Sequence, residues 1–368
     1  MTEAKCSELM INANADLFGL DMLIQSKALN SLSNRAHIGL KRNIPLAILV
    51  LGCGGTGGWL APKLIKIFND ARRKGLTDDV NIIFADGDHV EEKNLIRQNF
   101  IAADVGKNKA EVIAARYGQH VVPGVSVGFF DKYVVDNNYS IPKEDADKFV
   151  LLSDVEKALL HHVSKSSGIL VINLIDNAKT RKMIHSWAAI RSHKAGVYVS
   201  IIDVANNSYN GQLNFTDYSV KTLSGYLSRF YVQHPDHLDD DDDISLYNCA
   251  DADANAVDQL FNANDMAATV TSNFINHWCA NGEFKYGQIK FVTGSAPSIE
   301  NSCPMYTNFF MPTGVSAGLF SKIEDQTEYL SLKGAYDRLW RNESKSKYFE
   351  FLSRSMGEES SSRFIGVS

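Results

Sequence analysis

The stretch "LAILVLGCGGTGGWLAP" constrains this chain more than any other. Six apolar residues, Leu46–Leu51, run into glycines at 52, 54, 55, 57 and 58, and an amphipathic segment, Trp59–Lys74, follows. A short run that is apolar on both faces reads as a strand of a parallel sheet covered by helices on both sides. The turn then delivers a helix N-terminus, where free N–H groups and the helix dipole favour a phosphate. Gly52-x-Gly54-x-x-Gly57 fits the dinucleotide fingerprint, and Asp86, ending the next apolar run, fits its ribose-binding acid, able to accept both hydroxyls. The same spacing serves NAD, FAD, SAM and ATP. The bland alternative is a glycine turn that only packs a helix onto a sheet.

Three more apolar runs, Val80–Ala85, Ile169–Leu174 and Val197–Ile202, alternate with helix-like segments at Trp59–Lys74, Lys107–Gln119 and Thr180–His193. This rhythm predicts an α/β fold, a Rossmann-like doubly wound sheet with a parallel first half. A further strand is expected at Val125–Val134. After Asp203 the pattern changes: a turn and an antiparallel strand at Asn206–Phe215, a long helix at Gln259–Phe284 and a strand in "YGQIKFVTG" predict an antiparallel C-terminal extension. The expected organisation is an N-terminal helical extension over 1–45, a main domain over 46–330 with a mobile acidic loop at about 234–256, and a C-terminal helix and disordered tail over 331–368.

Of the 368 residues 45% are hydrophobic and 22% charged, as in a soluble globular protein, and the net charge of −6 argues against a general nucleic-acid or membrane-surface binder. The N-terminus lacks the basic and apolar regions of a signal peptide and no apolar run is long enough to span a membrane, so a cytoplasmic protein is expected. The five cysteines (Cys6, Cys53, Cys249, Cys279, Cys303) form no C-x-x-C pair, which speaks against a cysteine zinc site and a disulfide scaffold.

The segment "FADGDHVEEKNLIRQNFIAADVGKNKAEVIAARY" narrows the choice of nucleotide. Asn94, Arg97 and Gln98 have i, i+3, i+4 spacing, so one helical turn would present all three on one face. Lys109 opens the next helix. A guanidinium fork and a lysine converging on one phosphate region exceed what hydride transfer needs and suit phosphoryl chemistry, where charge builds on nonbridging oxygens. Read singly, Arg97 and Lys109 would be ordinary solvated charges at helix ends.

With these motifs in order, the sequence resembles the ThiF/MoeB/ubiquitin-activating adenylation enzymes over about residues 45–215. The matching residues are Gly52-Cys-Gly-Gly-Thr-Gly57, Asp86-Gly-Asp88 with Val90, Asn94-Leu-Ile-Arg97-Gln98, Asp104-Val-Gly106 with Lys109, and Asp176-Asn177 with Arg181. Within the family, "IDVANNSYNGQLNF" and "NCADADANAVDQLFNANDMAA" look most like the ThiF-type proteins of bacterial PRTRC gene systems. The resemblance implies binding of MgATP and adenylation of a carboxylate, typically the C-terminal Gly of a ubiquitin-like or sulfur-carrier protein, by a homodimer. Gly52, Gly54, Gly55 and Gly57 would make room for the nucleotide, Asp86 would hold the ribose, and Asp88 and Asn177 would also contribute to nucleotide binding. Asn94 and Gln98 would orient the phosphates, while Arg97 and Lys109 neutralise the α-phosphate. Asp176 would hold magnesium, although Asp176-Asn177 also reads as a helix N-cap.

Family members often pass the activated carboxylate to a cysteine. Cys249, after the acidic loop, is the first candidate nucleophile, with Cys303 in reserve; Cys53 and Cys279 read as packed. Two departures from the family stand out. The paired zinc-binding cysteines are absent, so no zinc is expected, and the N-terminal arginine that completes a partner protomer's site has no clear motif, leaving Arg35 or Arg42. A nicotinamide-dependent Rossmann oxidoreductase and a non-catalytic pseudo-activating subunit remain as alternatives. Neither needs Arg97, Lys109 and Asp176.

Overall fold

The computed structural model describes residues 41–137, 139–161, 168–175, 177–195, 197–207, 210–218, 261–282, 284, 286–293 and 297–304. The elements are β1 (Leu46–Leu51), α1 (Gly55–Arg73), β2 (Val80–Ala85), α2 (Lys109–Gly118), β3 (Val125–Phe130), β4 (Tyr133–Val135), β5 (Phe149–Leu151) and α3 (Leu152–His161). They continue with β6 (Gly168–Asn173), α4 (Ala178–Ala195), β7 (Tyr198–Asn206), β8 (Asn210–Asp217), α5 (Phe261–Asn281), β9 (Tyr286–Val292) and β10 (Ser298–Pro304). Two short 3-10 turns, Glu92–Ile96 and Ala102–Asp104, lie between β2 and α2.

Eight strands form one sheet in the order β10-β9-β8-β7-β6-β1-β2-β3. β7, β6, β1, β2 and β3 run parallel, and β8, β9 and β10 are added antiparallel. Every residue of β1, β2 and β6 is buried, as expected for central strands sandwiched between helices. The expected fold class, a Rossmann-like doubly wound sheet with a parallel first half and an antiparallel extension, is the one observed. Among the described residues no helix is long and apolar enough to cross a membrane.

α1 contains Pro62 yet runs straight on from the glycine turn. Proline has no N–H to offer the carbonyl four residues earlier. That carbonyl belongs to Gly58 and accepts instead from Asn99 Nδ2 at 3.0 Å. α5 lies against α1, with its residues Ala267, Ala268, Ile275 and Trp278 in the core. Arg42 Nη1 reaches the carbonyls of Cys279 and Ala280, each at 2.6 Å, and so satisfies the open end of α5.

One local expectation is corrected. The strand expected at Val125–Val134 is two strands: β3 belongs to the main sheet, whereas β4 pairs with β5 in a separate two-stranded sheet. The break falls on the charged pair Asp131-Lys132, and each half finds its own partner. The expected extension over 1–45, the acidic loop and the C-terminal tail lie almost wholly outside the described residues, of which only 41–45 are seen.

A core this continuous predicts a sharp contrast between sites. Leu49→Ala, in the middle of β1 and fully buried, is expected to cost about 2–5 kcal/mol in urea unfolding. Ile96→Ser, at a side chain 85% exposed, is expected to stay within about 0.5 kcal/mol of wild type.

Candidate active site

From β1 the chain order of the sheet runs outward both ways, to β2 and to β6. Such a switch point opens a crevice at the C-terminal strand ends, where nucleotides bind in open α/β sheets. The loops after β1, β2 and β6 meet there. Gly52 has φ +90°, and a Cβ on it would stand 3.2 Å from the Leu174 carbonyl oxygen, so the ends of β1 and β6 touch. A Cβ on Gly57 would fall 2.1 Å from the Gly52 carbonyl oxygen, so glycine alone lets α1 start against the turn. Gly55 leaves its space to the Asn264 amide, which a Cβ would meet at 2.5 Å.

Gly54 differs from these. A Cβ there would have the Gln98 amide as its nearest neighbour, at 3.6 Å, which is ordinary contact. Packing therefore does not call for glycine, and the missing side chain leaves room at the start of α1. Gln98 itself is 9% exposed, and its Oε1 has no hydrogen-bond partner. A buried amide with an unsatisfied end over an open glycine fits a bound polar ligand, since buried polar groups otherwise find partners. A half turn of that amide would offer its N–H groups to an anion in the same place. The residues present thus fit the phosphate chain of a nucleotide.

Asp86 lies across the strand ends. Its Oδ2 accepts from the Cys53 N–H at 2.6 Å and its Oδ1 from the Asp88 N–H at 2.8 Å. Burial pushes its carboxyl up to about 6, against the lowering pull of Lys109. Asp88 lies below its ordinary range: burial works against its charge, but Lys109 and the Tyr133 hydroxyl outweigh it. Lys109 Nζ is 2.9 Å from Asp88 Oδ2, and its side chain is almost fully buried. Tyr133 donates to Asp88 Oδ1, and its ring fills the space over Gly87. Asn108 caps α2 through Oδ1, which accepts from the N–H of Ala110 and Glu111. Its Nδ2 donates to the carbonyls of Asp86 and Asp88, at 2.8 and 3.1 Å. The loop that carries the acids is therefore locked to the helix that carries the lysine.

Residues 94–98 close the expected single turn, with the Gln98 N–H donating to the Asn94 carbonyl at 2.8 Å. Glu92–Ile96 is a 3-10 turn, with Arg97 at its end and Gln98 just beyond it. Asn94 is buried, and its Oδ1 accepts from the Glu91 N–H at 2.9 Å, which holds the turn. Arg97 is half-buried, and its carbonyl receives Trp59 Nε1 and Asn264 Nδ2, both at 3.4 Å. Asn99 fastens this loop to both helices. Besides Gly58 of α1, its amide donates to the Tyr117 hydroxyl at 3.0 Å, and its carbonyl accepts from Arg116 Nη1 at 3.1 Å.

Asn177 Oδ1 accepts from the Thr180 N–H at 2.8 Å, the N-cap alternative raised by the sequence. Asp176, Cys249 and Arg35 lie outside the described residues. Arg42 donates to the carbonyls at the end of α5. Cys53 and Cys279 are buried free thiols; burial pushes both up, Cys279 to about 12. Cys303 lies in β10, opposite Gln288 of β9. Tyr133 and Asn108 escaped the sequence reading, as did the group of Thr56, Asn206 and Asn264, joined at 3.0–3.5 Å over the turn.

The raised carboxyl of Asp86 has a measurable consequence. Its ordinary value is 3.8 and its value in the fold about 6, so in this interval the native state holds the extra proton. The stability that Asp86 contributes is present below about pH 4 and is lost as the pH rises through about 6. Urea unfolding between pH 4 and 7 is expected to show this downward component in the wild type and not in Asp86→Asn. Equal slopes would place Asp86 at its ordinary value.

A model of the ThiF family matches residues 38–237, over half of the chain and from β1 through β8. No curated protein matches the sequence. Among solved structures, the chain is similar to selenomethionine PaaA at 14% identity and a TM-score of 0.40, covering 72% of this chain and 65% of that one. It is similar to E. coli MccB with ATP at 18% identity and a TM-score of 0.40. Against E. coli MccB with AMPCPP and MccA the identity is again 18%, with a TM-score of 0.42. Each MccB match covers 72% of this chain and 64% of MccB, so the chain spans under two thirds of the length of these structures. Likeness at this level transfers none of their ligands. The family match together with the glycine turn and acid loop of this site gives the assignment: the chain belongs to the ThiF family.

Proposed function

We propose that this chain uses MgATP to adenylate a carboxylate, that of the C-terminal glycine of a ubiquitin-like or sulfur-carrier protein, and that it acts as a cytoplasmic homodimer. The observation that carries the reading is the buried Lys109. Its charge reaches both Asp86 and the thiol of Cys53 in the glycine turn. A lysine kept out of water at this point has no task in hydride transfer. It has one where negative charge gathers on a phosphate.

In this mechanism the two lone-pair positions left on the Asp86 carboxylate accept the ribose hydroxyls. The phosphate chain lies over Gly54 at the start of α1, with the Gln98 amide against it. A carboxylate oxygen of the partner attacks the α-phosphorus, the bond to the β-phosphate oxygen breaks and pyrophosphate leaves. Lys109 and Arg97 offset the charge of two anions brought together, so Lys109 must share its contact with Asp88, which Tyr133 keeps in place. Asp176 would supply a hard oxygen ligand that suits magnesium, whose charge would help to neutralise the phosphates. Any later thioester would arise by attack of the Cys249 thiolate on the acyl-adenylate carbonyl with AMP leaving.

Calorimetry with MgATP and with NAD(H) tests the reading. ATP is expected to bind, more weakly to Asp176→Ala, with no response to NAD(H); tight NAD binding indifferent to Asp176 would establish an oxidoreductase instead. In ATP–pyrophosphate exchange with a carrier protein ending in Gly, Lys109→Ala and Arg97→Ala are each expected to lose about 10²–10³-fold. ATP and carrier binding without exchange would point to the pseudo-activating subunit. Cys249→Ser is expected to keep exchange and to lose any thioester visible on a non-reducing gel; a thioester that persists assigns it to another cysteine.

A further inference from the structure

Behind the strand ends lies a polar cluster that the mechanism leaves unused. Asp203, on β7, is fully buried and both of its carboxylate oxygens are engaged. Oδ1 accepts from Asn173 Nδ2 at 2.9 Å and from Arg181 Nη1 at 3.4 Å, and Oδ2 lies 2.8 Å from His185 Nε2. The other ring nitrogen of His185 lies 2.8 Å from the Tyr218 hydroxyl. Burial works against the charge of Asp203, and His185, Arg181 and Asn173 overcome it, so the carboxyl sits below its ordinary range. Apolar residues of the same volume often stabilise a core as well as or better than a buried ionic group. Stability alone therefore does not account for this cluster.

The geometry indicates what it holds. The two side chains that bind Oδ1 both reach on to one residue. Asn173 Oδ1 accepts from the Ile175 N–H at 3.3 Å, and Arg181 Nη2 donates to the Ile175 carbonyl at 2.8 Å. Ile175 is clamped by both of its backbone groups. Two residues on, the Asn177 carbonyl accepts from the Arg181 N–H at 3.2 Å. Leu174 and Ile175 are also the residues that a Cβ on Gly52 would touch, at 3.2 and 3.5 Å. The cluster thus ends on the segment that meets the glycine turn.

We propose that Asp203 is a positioning residue of the nucleotide site: it orients Arg181 and Asn173, which clamp Ile175 and so fix the end of β6 against Gly52. The proposal rests on the nucleotide-binding reading above for its effect on affinity, and on the clamp itself for its effect on the backbone. His185 and Tyr218 keep the carboxylate in place from the far side.

The test compares the full-length wild type with Asp203→Asn, Arg181→Lys and Ser200→Ala. Arg181→Lys keeps a positive charge beside Asp203 but loses the fork that reaches Ile175, and it serves if Asp203→Asn does not fold. Ser200→Ala removes a buried 3.2 Å contact to Asp217 between β7 and β8 and controls for destabilisation alone. MgATP affinity by calorimetry is expected to fall about 10-fold in the first two variants, the size usual for losing a group that orients a ligand-binding residue. It should be unchanged in Ser200→Ala. Amide exchange over 173–175 is expected to rise in the first two variants and not in the third. Unchanged exchange over 173–175 overturns the proposal, as does wild-type affinity in folded Asp203→Asn or Arg181→Lys. If the wild type binds no MgATP, the adenylation reading falls, and the exchange measurement still decides the clamp.

Discussion

The site depends on one carboxylate held where two strands end. Asp86 takes an N–H from the turn after β1 and another from its own loop after β2, and these two bonds set how the glycine turn faces the acid loop. Burial opposes its charge strongly enough to raise it to about 6 even with Lys109 nearby. The arrangement is thus an anion kept at the edge of its tolerance by donors and a cation. A polar ligand with two hydroxyl donors would relieve it. Around this carboxylate everything else is bracing: Asn108 ties the acid loop to α2, Tyr133 ties it to the small sheet, and Lys109 completes the charge balance.

How much of this could be read in advance followed from the range over which each signal acts. The strands at Leu46–Leu51 and Val80–Ala85 were legible to the residue because a two-sided apolar run has few other homes in a soluble fold. The glycine turn was legible because at Gly52 and Gly57 the close approach of backbone leaves no room for a Cβ. At Asn94, Arg97 and Gln98 the expected turn is present, and what spacing could not give is that it continues a 3-10 turn held by the Asn94 side chain. That β4 leaves the main sheet was hidden because its partner β5 lies about 15 residues away in the chain, and local propensity does not record such a pairing.

The rest was out of reach for one physical reason, distance along the chain. Asn264 stands 208 residues from Thr56 yet lies over the same turn. Asp203 joins residues of β6, α4 and β7 that are ordinary when read one by one. An asparagine in a helix or an aspartate in a strand gives no hint of its partner until the sheet order is known. The motif match did mark Arg181, but as one letter of a pattern, not as half of a clamp.

Pro62 bears on how the two sides of the crevice are kept in step. Because the ring supplies no N–H, the Gly58 carbonyl turns to Asn99, and a bond that would have belonged to α1 alone becomes a fastening between α1 and the loop that bears Arg97 and Gln98. A helix repairs its own internal bonds after any fluctuation without reference to its surroundings. Here one rung is completed only when the loop is seated. The first turns of α1 and the loop bearing Arg97 and Gln98 are therefore fastened to each other, and a proline that costs the helix one internal bond adds one between the two sides of the crevice.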